Sequence, residues 1–206
     1  MLPTSSITAL FLDGANLHAT TAALGIEIDF RRLLSEFESS GRILRAFYYT
    51  LVTEDPKLAR PLTDWLEYNG YTVILKQTKE FLDEGGRRRT KGTVGVELAV
   101  NAMQLAKRID HMVLFSGDGD LRPLVRAMQR CGVRVTVVST VSSEPSMVSD
   151  ELRRQADAFI DLRELISKIG RNSTDRTVPR EYRNAKVLLR RDRTAREPSK
   201  GEKNRD

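Results

Sequence analysis

Short apolar runs separated by helical segments constrain the fold of this chain more than any other feature. Helical spacing of apolar residues is clear at Leu33, Leu34 and Phe37. Alternating strands and helices are typical of βαβ units, which pair their strands in parallel. The sequence therefore predicts an α/β fold with a mainly parallel sheet of about five strands. The five strand-like runs are residues 7–12, 43–49, 71–76, 111–115 and 133–138.

Capping residues and glycines indicate where the predicted helices begin and end. Gly25 ends the first helix, Asp29 begins the second, and Asp120 is the expected N-cap of a helix through Arg130. The helix over residues 94–108 is apolar on most sides, so we expect it to be well buried. The remaining predicted helices are 56–68, 146–156 and a last turn or two before residue 170.

Two acidic turns each follow a predicted strand directly. Residues 13–16 read Asp-Gly-Ala-Asn after the first strand, and residues 116–120 read Ser-Gly-Asp-Gly-Asp after the fourth. Ligands of a parallel α/β sheet gather at the carboxyl ends of its strands. We therefore expect the two turns to converge on one small site suited to metal and phosphate chemistry.

Each polar side chain of these turns has a structural role that competes with a functional one. Asp13 ends a buried strand, where an ionised carboxylate needs a cation or hydrogen-bond donors to compensate it. Asn16 either binds or orients a ligand, or caps a helix. Asp118 is free to point inward, whereas Asp120 is explained by a helix cap alone. Ser116 either contacts a phosphate or holds its turn.

The scarcity of nitrogen and sulfur ligands narrows the metal chemistry. The chain has one cysteine, Cys131, and two histidines, His18 and His111, which excludes an intrachain disulfide and a cysteine-rich zinc site. Carboxylate oxygens suit hard ions such as Mg²⁺ or Mn²⁺. No dinucleotide fingerprint, calcium loop or phosphate loop survives inspection. We read no targeting or membrane segment, and therefore expect a cytoplasmic protein without a membrane partner.

A basic loop precedes the helix over residues 94–108. Residues 83–92 place Arg87, Arg88, Arg89 and Lys91 between glycines, where a polyanion approaching the acidic site would meet them. The alternative is a solvated surface loop. Because the loop has no aromatic side chain to stack on a base, we expect no sequence-specific readout from it.

The excess positive charge is confined to the C-terminal end. Residues 171–206 hold 12 of the 34 basic and 6 of the 28 acidic side chains, so this segment accounts for the whole net charge of +6. Its few large apolar residues cannot bury much surface, and we expect a disordered tail after a domain over residues 1–170. The tail is either an electrostatic tether for nucleic acid or a solubilising extension.

Three ordered motifs together resemble the NYN domain of the PIN-like nucleases, in the bacterial LabA-like group. They are Phe11–Leu17, Lys91-Gly92 with Glu97–Met103, and Leu114–Asp120. The resemblance covers roughly residues 5–165. It implies a Rossmann-like, three-layer fold with strand order 3-2-1-4-5, and metal-dependent cleavage of RNA.

The resemblance also implies roles for the residues of the two turns. Asp13 and Asp118 become the principal metal ligands, Asn16 and Asp120 support them, and Ser116 lies near the scissile phosphate. Glu97 and Asn101, which share a helical face, are further candidate ligands. Arg87, Arg88, Arg89 and Lys91 steer the RNA, for which a single strand is the expected form. A homodimer is consistent with the sequence.

Two departures from the family pattern affect this site. The family usually has aspartates at the positions of Gly95 and Asn101. Glycine supplies no ligand, and asparagine keeps a carbonyl oxygen without its charge. Two hypotheses follow: a metal-dependent ribonuclease with a partly depleted acidic site, or a catalytically impaired RNA-binding or regulatory protein on a nuclease-derived fold.

Overall fold

The computed structural model describes residues 6–52, 60–82, 88–91 and 93–171, of which 79–82 and 88–91 are described by their backbone. Six strands form one parallel sheet in the order β3-β2-β1-β6-β7-β8, and two form a separate antiparallel hairpin, β4-β5. The strands are β1 Ile7–Asp13, β2 Arg42–Val52, β3 Tyr71–Gln77, β4 Lys79–Leu82, β5 Arg88–Lys91, β6 His111–Phe115, β7 Arg134–Ser139 and β8 Ala158–Asp161.

Helices cover both faces of the sheet, which confirms the Rossmann-like, three-layer architecture. They are α1 Gly14–Leu24, α2 Phe30–Glu38, α3 Arg60–Tyr68, α4 Gly95–Leu105, α5 Arg122–Arg130, α6 Asp150–Gln155 and α7 Leu162–Ile169. Helices α4, α5 and α6 pack on one face through Leu98, Ala102, Leu124, Val125, Met128 and Leu152. Helices α1, α2, α3 and α7 pack on the other through Leu17, Leu33, Phe37, Leu66, Leu162, Leu165 and Ile169.

The middle of β1 is apolar because this strand is covered on both sides. Residues 9–12 of β1 are completely buried and alternate between the two cores: Phe11 lies in the α4–α5–α6 core, and Leu10 and Leu12 lie in the opposite one. Strand order reverses between β1 and β6, which pair from Thr8 with His111 to Leu12 with Phe115. This reversal is the topological switch point at which α/β sheets bind ligands.

The sheet confirms the expected order and adds a sixth strand. The short run after residue 157 forms β8, which pairs with β7 along four residues. The hairpin was not expected: residues 88–91 of the basic loop pair antiparallel with residues 79–82, whereas 83–87 and 92 lie outside the described residues.

Several helix boundaries differ from expectation. Helix α4 ends at Leu105 instead of 108, and its outward side exposes Val96, Val100 and Met103, so the expectation of burial on most sides was wrong. Helix α6 begins at Asp150 because the side chain of Ser149 accepts a hydrogen bond from the amide of Leu152.

Two further expectations concern the C-terminal tail and the presence of a membrane-spanning helix. Of the tail over 171–206, only Arg171 is described, and its amide donates to the Glu27 carbonyl. The prediction of disorder concerns residues beyond it. Within the described ranges, no helix is long and apolar enough to cross a membrane.

Candidate functional site

The two acidic turns meet at the carboxyl edge of the sheet, where β1 and β6 end side by side. Leu12 pairs with Phe115, so Asp13 and Ser116 are the next residues of neighbouring parallel strands. Strand alternation directs both toward the face covered by α4 and α5. The expected convergence of the turns is therefore present in the fold.

Asp13 is buried, and each of its two carboxylate oxygens accepts a hydrogen bond. Only 8% of its surface is exposed. Its side chain caps α1 by accepting a hydrogen bond from the amide of Asn16 at 3.2 Å. Its second oxygen, Oδ2, accepts from the hydroxyl of Ser116 at 3.1 Å. Each bond uses one lone pair, so both oxygens keep acceptor capacity.

Ser116 connects the two aspartates. It is completely buried, and its Oγ accepts from the amide of Asp118 at 3.2 Å while donating to Asp13. Asp118 in turn accepts from the amide of Asp120 at 3.0 Å. A continuous set of hydrogen bonds thus runs from one turn to the other.

Asp120 does not cap α5, although this was expected of it. Asp118 caps a short 3-10 turn over Gly119–Leu121, and α5 begins after it with Leu121 at its N-cap and no side-chain cap bond. Asp120 is exposed, because the 3-10 turn carries its side chain away from the buried end of the strands.

Asn16 orients the second turn. Its Oδ1 accepts a hydrogen bond from the amide of Gly117 at 2.9 Å, across 101 residues of sequence. Asn16 therefore ties the first turn to the second, and it does not cap α1, which Asp13 does.

Two glycines allow the turns to approach their neighbours closely. A Cβ on Gly117 would lie 1.7 Å from the carbonyl oxygen of Met147, and a Cβ on Gly14 would lie 2.6 Å from that of Tyr49. Backbone atoms at these distances leave no room for a side chain. Glycine at these two positions is therefore a condition of the site's geometry.

Burial raises the pKa of the Asp13 carboxyl above its usual range, and the nearby charge of Asp118 adds to the increase. The bonds from Asn16 and Ser116 act in the opposite direction but do not cancel the effect of burial. Burial and the charge of Asp13 likewise raise the pKa of the neighbouring Tyr48 hydroxyl. Concentrated negative charge in a buried place is what a bound cation would relieve.

The two other expected ligands, Glu97 and Asn101 on α4, form hydrogen bonds with side chains of β3 and β2. Glu97 forms a 2.7 Å ion pair with Lys76 of β3, and this bond lowers the pKa of the Glu97 carboxyl. The amide of Asn101 donates to the hydroxyl of Tyr49 at 3.1 Å. Sequence reasoning missed Lys76 and Tyr49, although Tyr49 stands beside Asp13 in the β1–β2 register.

The described residues hold no group of three or more acidic, histidine or cysteine side chains arranged to bind a metal. The donor set at the switch point is two carboxylates, those of Asp13 and Asp118, and the Ser116 hydroxyl, which contacts the carboxylate of Asp13 and the backbone amide of Asp118. Mg²⁺ commonly binds through one or two carboxylates and keeps several waters. The residues present therefore fit an ion that is held by two carboxylates and keeps several waters. Glu97 and Asn101 remain predicted ligands.

The expected RNA contacts stay predictions. Arg87 lies outside the described residues, and Arg88, Arg89 and Lys91 belong to β5, whose backbone alone is described.

Comparison with known proteins gives three findings. The sequence profile of the NYN domain matches residues 7–165. The chain is 34% identical over 175 residues to the Low amplitude and bright protein LabA of Synechococcus elongatus, an alignment that covers 83% of this chain and 90% of the relative. It is also similar to a crystal structure of a protein of unknown function from Vibrio parahaemolyticus, with a TM-score of 0.65, 25% identity, and coverage of 79% of this chain and 96% of that one.

Proposed function

Because this chain belongs to the NYN domain family, we propose that it is a divalent-metal-dependent ribonuclease acting at Asp13 and Asp118. NYN domains form a family of PIN-like nucleases, and the chain has the corresponding nuclease-like fold. The observation that carries the proposal is the hydrogen-bonded connection of Asp13 to Asp118 through buried Ser116 at the β1–β6 switch point.

Asp13 and Asp118 are the residues that would hold Mg²⁺ or Mn²⁺. Such an ion supplies activation of a water molecule and stabilisation of the charge on the leaving oxygen. Burial of Asp13 keeps competing water from one carboxylate, and the Ser116 hydroxyl fixes its orientation. Asn16 accepts a hydrogen bond from the amide of Gly117, so the backbones of the two turns are held together before any ligand arrives.

A second candidate function is an RNA-binding or regulatory protein without turnover. Its support is the state of α4, where Lys76 neutralises Glu97 and Asn101 is bonded to Tyr49. Both side chains are thereby occupied, which leaves two carboxylates for a metal. Fewer charged ligands hold a divalent ion less firmly.

Cleavage of a labelled single-stranded RNA separates the two candidates. The wild-type chain is compared with Asp13→Asn, with Asp118→Asn, and with Gly95→Asp/Asn101→Asp, each in Mn²⁺, in Mg²⁺ and in EDTA. A Cβ at position 95 meets nothing closer than the Thr93 hydroxyl at 3.4 Å, and the Tyr49 hydroxyl can donate to a carboxylate at position 101. The double substitution is therefore compatible with the fold.

The outcomes distinguish the functions. Metal-dependent cleavage by the wild type that disappears in Asp13→Asn supports the ribonuclease. Binding without cleavage, with turnover only after both aspartates are restored, supports the second candidate and overturns the first. A chain that neither binds nor cuts RNA overturns both. The cytoplasmic location and the homodimer remain predictions.

A further inference from the structure

The solvent side of α5 carries a row of three arginines. Arg122, Arg126 and Arg130 are exposed, and their spacing of four residues places them along one side of the helix. The rise of an α-helix separates neighbours by about 6 Å, so the row is about 12 Å long. The opposite side of α5 is buried and consists of Leu124, Val125 and Met128.

Helix α5 itself supplies no counter-charge to this α5 arginine row. Helix α5 contains no acidic residue, and among the described ion pairs none involves Arg122, Arg126 or Arg130. Helix α6, which packs beside α5, contrasts with it. There two acidic and two basic residues balance, and Arg154 pairs with Asp150.

The α5 arginine row begins at the candidate site. Arg122 directly follows the 3-10 turn that Asp118 caps, and the row then leads away from the carboxyl edge of the sheet along α5. The positive end of the helix dipole faces the same turn, which favours an anionic group there. A polyanion whose reactive phosphate lies at Asp13 and Asp118 would therefore have a cationic path beside it.

We propose that the α5 arginine row binds the phosphodiester backbone of single-stranded RNA and leads it to the acidic site. This inference rests on the proposed function. Arginine is well suited to phosphate, because its guanidinium presents several donors in a plane. Helix α5 has no aromatic side chain to stack on a base, so binding is independent of sequence.

The test measures the salt dependence of RNA affinity. Arg126→Gln/Arg130→Gln removes two charges of the row while retaining good helix formers. The matched control, Arg60→Gln/Arg163→Gln, removes two exposed charges from α3 and α7 on the opposite face of the sheet. Arg122 is left unchanged because it adjoins Asp120. Fluorescence anisotropy of a labelled single-stranded RNA is recorded in EDTA over a range of KCl concentrations, with single-stranded DNA of the same sequence in parallel.

We expect the row variant to bind RNA more weakly and to flatten the plot of log affinity against log salt by about 1.4, because each phosphate contact on a single strand contributes about 0.7. The control variant should retain the wild-type slope. Equal slopes in both variants overturn the proposal, as does a wild type that binds neither nucleic acid. Stronger binding of single-stranded DNA than of RNA overturns the assignment of RNA as the ligand of the row. Cleavage assays with metal test the proposed function separately, because binding in EDTA does not depend on turnover.

Discussion

The hydroxyl of Ser116 donates a 3.1 Å hydrogen bond to Oδ2 of Asp13, joining residues 103 positions apart. Both residues are buried, and Ser116 also accepts from the amide of Asp118. One small side chain therefore serves both acidic turns. The bond to Asp13 favours the ionised form of that carboxyl. The effect of Ser116 on metal binding can therefore be measured separately from its effect on stability.

Ser116→Ala should lower both stability and metal affinity. The substitution leaves the Asp118 amide and a buried carboxylate oxygen without their partner, which costs about 1–3 kcal/mol of unfolding free energy. The Asp13 pKa should rise further, because the lost bond favoured the ionised form. Urea denaturation and Mn²⁺ titration at several pH values measure the two effects. Ser143→Ala, which removes a hydroxyl bonded to the Pro145 carbonyl, is the control, and an equal loss in both variants would contradict the assignment.

Asp13→Asn should stabilise the metal-free protein at neutral pH. The folded pKa of Asp13 lies above the ordinary value of 3.8, so the folded state binds the proton more tightly than the unfolded state. Stability from this group is present at low pH and is lost as pH rises from 3.8 through the folded pKa. The gain in Asp13→Asn should therefore shrink as pH falls.

Thermal denaturation across pH, without and with Mn²⁺, measures this effect. Added Mn²⁺ should reverse the order of stability, because only the wild type gains from binding the ion. Asp64→Asn, on the exposed side of α3, controls for the loss of a surface charge. A loss of stability in metal-free Asp13→Asn at neutral pH would show that burial does not dominate the energy of this carboxylate.

Gly117→Ala should destabilise the protein, whereas Gly95→Ala should not. A Cβ at position 117 would lie 1.7 Å from the Met147 carbonyl oxygen, so the backbone must shift at a cost of about 1–3 kcal/mol. At position 95 the nearest atoms lie at 3.4 and 3.7 Å, and the change should stay within about 0.5 kcal/mol. Unfolding free energies from urea denaturation compare the two. Similar values for both variants would mean that the approach of the second turn to Met147 is not tight.

His111 should make the protein sensitive to mild acid. Burial, with a smaller contribution from Arg134, lowers the pKa of His111 from 6.5 to about 4. The unfolded state therefore takes up a proton first, and stability that is complete above pH 6.5 is lost as pH falls toward 4, by about 3 kcal/mol. His111→Gln, which can keep a bond to the Thr136 hydroxyl, should flatten the pH dependence of stability in that range. An unchanged profile would assign acid sensitivity to other groups.

The fold could be predicted from sequence because its signals are local. Apolar runs of strand length, separated by helices, specify βαβ units, and residues 8–12 of β1 and all of β6 are buried as expected. The carboxyl ends of such strands lie on one edge whatever the loops contain, so Asp13 and the 116–120 turn were placed together correctly. The hairpin β4–β5 was missed because its two strands are only four residues long and mostly charged, so that strand propensity there is weak.

The partners of Glu97 and Asn101 on α4 could not be predicted from the sequence. Glu97 and Asn101 share a helical face and suggested a common role, but Lys76 and Tyr49 reach them from neighbouring strands. Such contacts depend on which side of the helix faces the sheet and on the register of strands distant in sequence. The exposed side of α4, with Val100 51% exposed, was missed for the same reason.

The sequence by itself determined the parallel sheet, the edge at which the site lies and the acidic character of that site, because hydrophobic periodicity and strand ends are properties of short segments. Only the tertiary structure decided which side chains act on one another. It made Asp118 the cap of a 3-10 turn before α5, bonded Asn16 to the Gly117 amide, paired Glu97 with Lys76, and placed the α5 arginine row beside the site. Distances of a few ångströms decide these contacts, and they are set by packing between elements that are remote in the chain.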